Sequence, residues 1–399
     1  MRKLLSSPVK MPLSESENFI YQNVLKYVPE LSLNLMAIKV TERPEDFLGW
    51  CHELLKLSRD NLNMDLLEPE QLTPLKKLHE TLKTGISRAQ LKMTRIAPWP
   101  IFCQFIQQQN EAHALDERLR LLNYIDEIKA QPLSEMIEED KLAFTGKHSN
   151  KHDISIYNFD VEWFASTKGA KIFHQLLANN PQAFDLALSH IPLNGDVTPA
   201  EYNKFVNAYQ DVFSSYTLDK PSGEKAPLAP ATRLLAMKRP DQFIALTASK
   251  IDIFCQGLSI AKFNNFDFSA YWQDMIGTIR TCAWWHQPCP ESTPENTEEL
   301  IIWKNRVILL DVFLLAEKDS AEKSNFIRLR DKPLKTSNSK STTVARKRTK
   351  ESAEALVDRA LENDELPEYL SSKRDTLIHQ VKEGKSVEQA ISLMRAIFG

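Results

Sequence analysis

Apolar positions along most of the chain recur three and four residues apart, the spacing of a buried helix face. After the start signal Ser14-Glu15-Ser16-Glu17, Phe19, Ile20, Val24 and Leu25 form such a face. Pro44 stands near the next start, and Phe47, Trp50, Cys51, Leu54, Leu55 and Leu57 follow. Thr73-Pro74 opens another helix through Leu75, Leu78 and Leu82, with Gly85 as the expected stop. Residues 101–128 read as one long periodic stretch. Further starts are expected at Asn180-Pro181 and at Thr198-Pro199-Ala200-Glu201, where a capping box coincides with proline at the first helical position. Helical patterns resume from Ala231, through Trp272–Ile279 and Ile301–Leu315. Only Asp153–Phe159 alternates like a short strand. Residues 217–230 and 288–296 are proline-rich and read as loops.

The expected fold is mainly α, with at most a short strand or hairpin. Four segments follow from the changes in pattern: a helical region 1–145, a central mainly helical region 146–331, a basic linker 332–350 and a small three-helix unit 351–399. The linker holds Lys332, Lys335, Lys340, Arg346, Lys347, Arg348 and Lys350, with no acid among them and almost nothing apolar. The unit after it is acidic, with Gly384 as the stop of its middle helix and Ser386-x-x-Gln389 as the cap of its last, and is small enough to need docking on something else.

Composition narrows the chemistry. The chain has 399 residues, a net charge of -3 and 10 glycines, with no two glycines closer than 15 positions. That spacing excludes the glycine-rich phosphate loops and the nucleophile elbow, each of which needs two glycines within six residues. The shortage also favours helix. No signal peptide or membrane span is expected, because the opening has just two consecutive leucines. Five scattered cysteines suit free thiols in the cytoplasm.

Candidate chemistry is sparse. Cys282-x3-His286-x2-Cys289 offers three soft ligands, but no fourth lies near it in sequence. His148-x3-His152 falls in a polar stretch that reads as a solvated loop. Glu127-Ile128-Lys129 and Glu139-Asp140-Lys141 match a nuclease spacing by letter, yet both sit in helical patterns, where such charge pairs are ordinary. No metal or cofactor is implied. Arg233, Lys238 and Arg239 flank the apolar Leu234–Met237 stretch; with Lys340, Arg346, Lys347, Arg348 and Lys350 of the linker they are the candidate phosphate contacts. Trp272, Trp284, Trp285 and Trp303 fall within 32 residues. Trp284-Trp285, followed by a proline-bearing loop, is the candidate partner-binding pair, with core packing as its alternative.

The run Pro230–Phe243, ending in Pro240-Asp241-Gln242-Phe243, together with Tyr271-Trp272, Trp284-Trp285 and Trp303-x-x-Arg306, resembles a segment of uncharacterised helical proteins from bacterial restriction and defence loci. The resemblance covers residues 230–315 and carries no catalytic residue. It implies a bacterial, nucleic-acid-associated role. The expected function is therefore a non-enzymatic accessory or adaptor subunit that contacts nucleic acid and protein partners of the same system. A protein–protein scaffold acting through 351–399 and a metal-dependent hydrolase or nuclease are the alternatives.

Overall fold

The computed structural model describes residues 1–63, 66–149, 151–157, 161–216 and 225–314, and beyond them 354, 357, 360–361, 370, 373–382, 387 and 389–391. The fold is mainly α, with no strand among the described residues. The chain divides into two compact units, Met1–Lys332 and Pro333–Gly399.

The first unit contains helices α1 (Glu15–Tyr27), α2 (Phe47–Asp60), α3 (Leu72–Thr94), α4 (Trp99–Gln107), α5 (Leu115–Ile128), α6 (Glu138–Thr145), α7 (Lys171–Asn179), α8 (Pro181–Ser189), α9 (Pro199–Tyr216), α10 (Leu228–Lys238), α11 (Ala248–Leu258) and α12 (Thr297–Lys304). Local chemistry sets several starts where the pattern predicts them. The Ser14 N–H donates to Glu17 Oε2 at 2.7 Å, closing the capping box of α1. Thr198 and Glu201 do the same before α9, at 2.7 and 3.3 Å. Asn180 accepts from the Ala183 N–H and caps α8.

Gly85 is not a stop. Helix α3 runs through it to Thr94, and the glycine marks a close approach instead. A Cβ there would lie 3.0 Å from Ile20 of α1 and 3.2 Å from the Cys51 sulfur of α2. On α11, a Cβ at Gly257 would lie 2.5 Å from Leu91 Cβ. Helix α3 is thus the element that α1, α2 and α11 all pack against. A Gly257→Ala substitution should gain roughly 1 kcal/mol of helix propensity. The clash should outweigh that gain, for a net loss of about 1–3 kcal/mol. A urea titration checks the sign; a stabilised variant would mean that α11 does not approach α3 so closely.

Buried apolar side chains form two clusters in this unit. One runs from Leu4 to Ile86, the other from Leu91 to Leu314. The seam falls inside α3, so the expected division at 145/146 is not a core boundary. Phe144, Tyr157 and Val161 share the second cluster.

Two other expectations change. The stretch 101–128 is broken at Ala114, which takes a left-handed φ of 53° and separates α4 and a short turn, Asn110–His113, from α5. Asn110 and Asp116 hold this break by bonding each other at 2.7 and 3.0 Å. The alternating stretch at 153 forms a turn rather than a strand, with the Ile156 and Tyr157 N–H groups both donating to the Asp153 carbonyl. Positions 158–160 lie outside the described residues.

In the second unit, α13 (Arg374–Lys382) is described, and Val357, Leu370, Leu377, Ile378 and Ala390 form a small apolar cluster. The signals at Gly384 and Ser386 lie outside the described residues. No helix among the described residues is long and apolar enough to cross a membrane.

Candidate functional site

The folded candidates for phosphate contact face inward. Arg233, on α10, is fully buried. Its Nε donates to the Phe144 carbonyl at 3.1 Å, Nη2 to Ala143 at 2.6 Å and Nη1 to Trp163 at 2.5 Å. Ala143 and Phe144 end α6, where carbonyls lack intrahelical donors, so Arg233 caps that helix. Thr167 Oγ1 bonds the next carbonyl, that of Thr145, at 2.6 Å. Gly146 then turns the chain at a φ of 85°, with the Ala165 carbonyl only 2.6 Å from where a Cβ would stand.

Glu162 completes this network. Its carboxylate meets Arg233 Nη2 at 3.3 Å and accepts from the Tyr157 hydroxyl at 3.1 Å and from the main-chain N–H of His148 at 2.7 Å. Burial pushes its pKa up, but the His148 hydrogen bonds and the Arg233 charge outweigh burial and hold it below the usual carboxylate value.

Arg239 is committed in the same way. It bonds Asp241 through two nitrogens at 2.8 Å each, and the carbonyls of Pro192 and Gly195 at 2.6 Å. Lys238 is half-buried and donates to the Leu188 carbonyl at 2.9 Å; burial lowers its pKa against the pull of Asp185. Arg233 and Arg239 are therefore corrected from phosphate contacts to structural residues. Lys340, Arg346, Lys347, Arg348 and Lys350 lie outside the described residues.

The tryptophans are also structural. Trp284 is fully buried, stacks on Phe102 with centroids 4.3 Å apart and donates to the Thr94 carbonyl at 2.9 Å. Trp285 is buried too, so the pair offers no partner surface. Arg280 lies 4.6 Å over Trp272 and 5.4 Å from the Trp285 ring; Arg306 lies 5.8 Å from Trp285 and 4.5 Å over Trp303. Tyr202 stacks on Trp272 at 4.6 Å. Rings and guanidinium groups thus alternate as a ladder, each contact contributing about 0.5–2 kcal/mol. Trp272, Trp285, Trp303 and Arg306, which carry the sequence resemblance, meet in this ladder.

The metal candidates are not assembled. Among the described residues no group of three His, Cys, Asp or Glu could hold a metal ion. His148 and His152 are buried rather than solvated. His148 stacks on Tyr157 at 4.4 Å and bonds Glu162. His152 donates from Nε2 to the Glu139 carbonyl, and its Nδ1 accepts the Ser149 N–H. Burial raises the Cys282 thiol to about 11, while Cys289 is exposed. The two acid-x-Lys pairs lie on α5 and α6 or at their ends, and Asp140 accepts a hydrogen bond from Tyr124.

A second ionic cluster, absent from the sequence-based candidates, contributes Arg118 and Lys250 to the wall of a cavity. Asp311 is fully buried and accepts from Arg118 Nη1 and, at 2.7 Å, from Lys250 Nζ. Arg118, with 3% of its side chain exposed, also bonds the His113 carbonyl through Nε and lies 4.8 Å over Trp163. Its Nη2 has no acceptor among the described residues. His113, pushed down to about 4 by burial, is neutral and donates from Nδ1 to the Leu314 carbonyl at 2.6 Å. Lys250 Nζ also donates to the Phe164 carbonyl at 2.5 Å. Phe164 has a φ of 75°, a conformation costing on the order of 1–3 kcal/mol in a residue with a Cβ. The surrounding bonds hold it there. The one signal in sequence is an aspartate inside the apolar run Ile308–Phe313.

Comparison with family models, curated proteins and solved structures finds no match to this chain.

Proposed function

We propose that the chain is a non-enzymatic accessory or adaptor subunit that associates with nucleic acid in the cytoplasm, within a bacterial defence or mobile-element system. One observation carries this reading: seven Lys and Arg between Lys332 and Lys350 with no acid among them. A polar cationic segment binds phosphates by releasing condensed counterions, so its affinity depends on salt and little on base sequence. With Arg233 and Arg239 turned inward, the linker is the main candidate for phosphate contact. The resemblance of residues 230–315 to proteins of defence loci supports the setting.

Duplex DNA titrated at about 50 and 200 mM salt tests the proposal. If all seven charges engage, the slope of log affinity against log salt approaches about -6. Deleting 332–350 should remove most of that slope; an unchanged slope and affinity would sink the reading. The small apolar cluster of the second unit favours a scaffold role as the alternative. Co-purification of a protein partner that survives nuclease treatment and requires 351–399 would select it.

A further inference from the structure

We infer that the cavity between Arg118 and Lys250 is a binding site for the phosphate group of a small ligand. The cavity measures about 220 Å³. That is below the roughly 300–1,000 Å³ typical of drug-sized ligands, so its occupant is small. Arg118, Lys250, Phe164, Ser166, Thr247 and Ser249 line it.

Its chemistry is that of an oxyanion receptor. Among the described residues Asp311 is the one carboxylate bonded to Arg118 and Lys250, so the pair retains one positive charge that these residues do not compensate. Glu162 also contributes to the wall, but its carboxylate is taken up by Arg233, His148 and Tyr157. Arg118 uses Nε and Nη1 internally, which leaves Nη2 to donate. Lys250 uses two of its three N–H groups. The Thr247 and Ser249 hydroxyls bond each other at 3.0 Å, which occupies one of their two protons and leaves the other. Both stand at the start of α11, an 11-residue helix whose first N–H groups lack intrahelical acceptors and whose dipole favours negative charge.

The donors are also pre-positioned. The Phe164 carbonyl holds Lys250 from one side and Asp311 from the other. Trp163 and Phe164 lie 4.8 and 5.6 Å from the Arg118 guanidinium. A cationic fork fixed in this way meets a tetrahedral oxyanion with little ordering cost.

Calorimetric titration of the full chain with inorganic phosphate tests the site. Saturable binding below about 10 mM is expected, with Lys250→Gln weakening it about tenfold or more. Ser249→Ala, which leaves the ion cluster intact, should weaken it by about three- to tenfold, and guards against misfolding of the lysine variant. A dinucleotide with a 5′-phosphate, set against its 5′-hydroxyl counterpart, separates a nucleic-acid end from free phosphate as the natural source. Absence of saturable phosphate binding, or two folded variants that titrate like the wild type, overturns the inference. Neither result depends on the salt slope of duplex binding, so the two proposals fail separately.

Discussion

Replacing Arg233 by methionine is expected to destabilise the first unit by about 3–5 kcal/mol. The side chain is fully buried and is the shared donor for three main-chain carbonyls and one carboxylate. Methionine fills similar space but donates nothing. The Phe144 carbonyl at the end of α6 would then lose its donor, at a cost of about 1–3 kcal/mol, and the Ala143 carbonyl would keep just the 3.4 Å bond from the Gly146 N–H. Glu162 would remain buried with His148 and Tyr157 alone. Arg233→Lys keeps the charge but loses the planar fork, so its loss should be intermediate. Urea midpoints at constant slope give these differences directly.

The same variant should change the response to pH. In the native chain, Glu162 is held below its ordinary value, so its contribution to stability is present above the unfolded carboxylate range. That contribution is lost as pH falls through the depressed folded value. Without Arg233, the folded value loses one of the influences that lower it and rises. The contribution of Glu162 at neutral pH then shrinks, and the acid limb moves to higher pH. A wild-type chain that matched Arg233→Met in its acid limb would show that Glu162 and Arg233 are not coupled.

Asp311→Ala should be comparably severe, at about 3–5 kcal/mol, for a different reason. Arg118 is almost wholly buried and would keep its charge with no counterion. Lys250 is partly exposed and can turn its ammonium to water, so the penalty falls mainly on the arginine. Asp311→Asn preserves shape but not charge, and should recover little. Arg118→Met combined with Asp311→Leu removes both buried charges and should restore most of the loss. A double variant as unstable as Asp311→Ala would place the damage in packing rather than in the stranded charge.

How much of this could be read in the sequence follows from the distance over which each interaction acts. The starts of α1, α8 and α9 were legible because the capping bonds of Ser14, Asn180 and Thr198 span three residues. Gly85 departs from its expected role because a glycine that ends a helix and one that admits a neighbour look alike until the neighbour is known. Arg233 and Arg239 resemble surface charges because their carbonyl acceptors lie 44–90 residues away. One warning was present: Arg233 stands within an apolar helical run, where a solvated face would have carried more polar residues. The Arg118–Asp311–Lys250 cluster joins positions 61 and 193 residues apart, and no local pattern encodes such a meeting. Trp284 and Trp285 could be core or surface by letter; Phe102 and the arginine ladder decide for core.

Helix α3 spans 23 residues, or about 34 Å, and belongs to both apolar clusters. Leu75, Leu78, Leu82 and Ile86 serve the first, and Leu91 the second. The N-terminal region is therefore not a module that evolution or an engineer could transplant. A cut at the seam would divide the helix unevenly and leave each fragment with a bare apolar stripe. Insertions that respect this architecture belong in the connections around α3, and the two cores are inherited together or not at all.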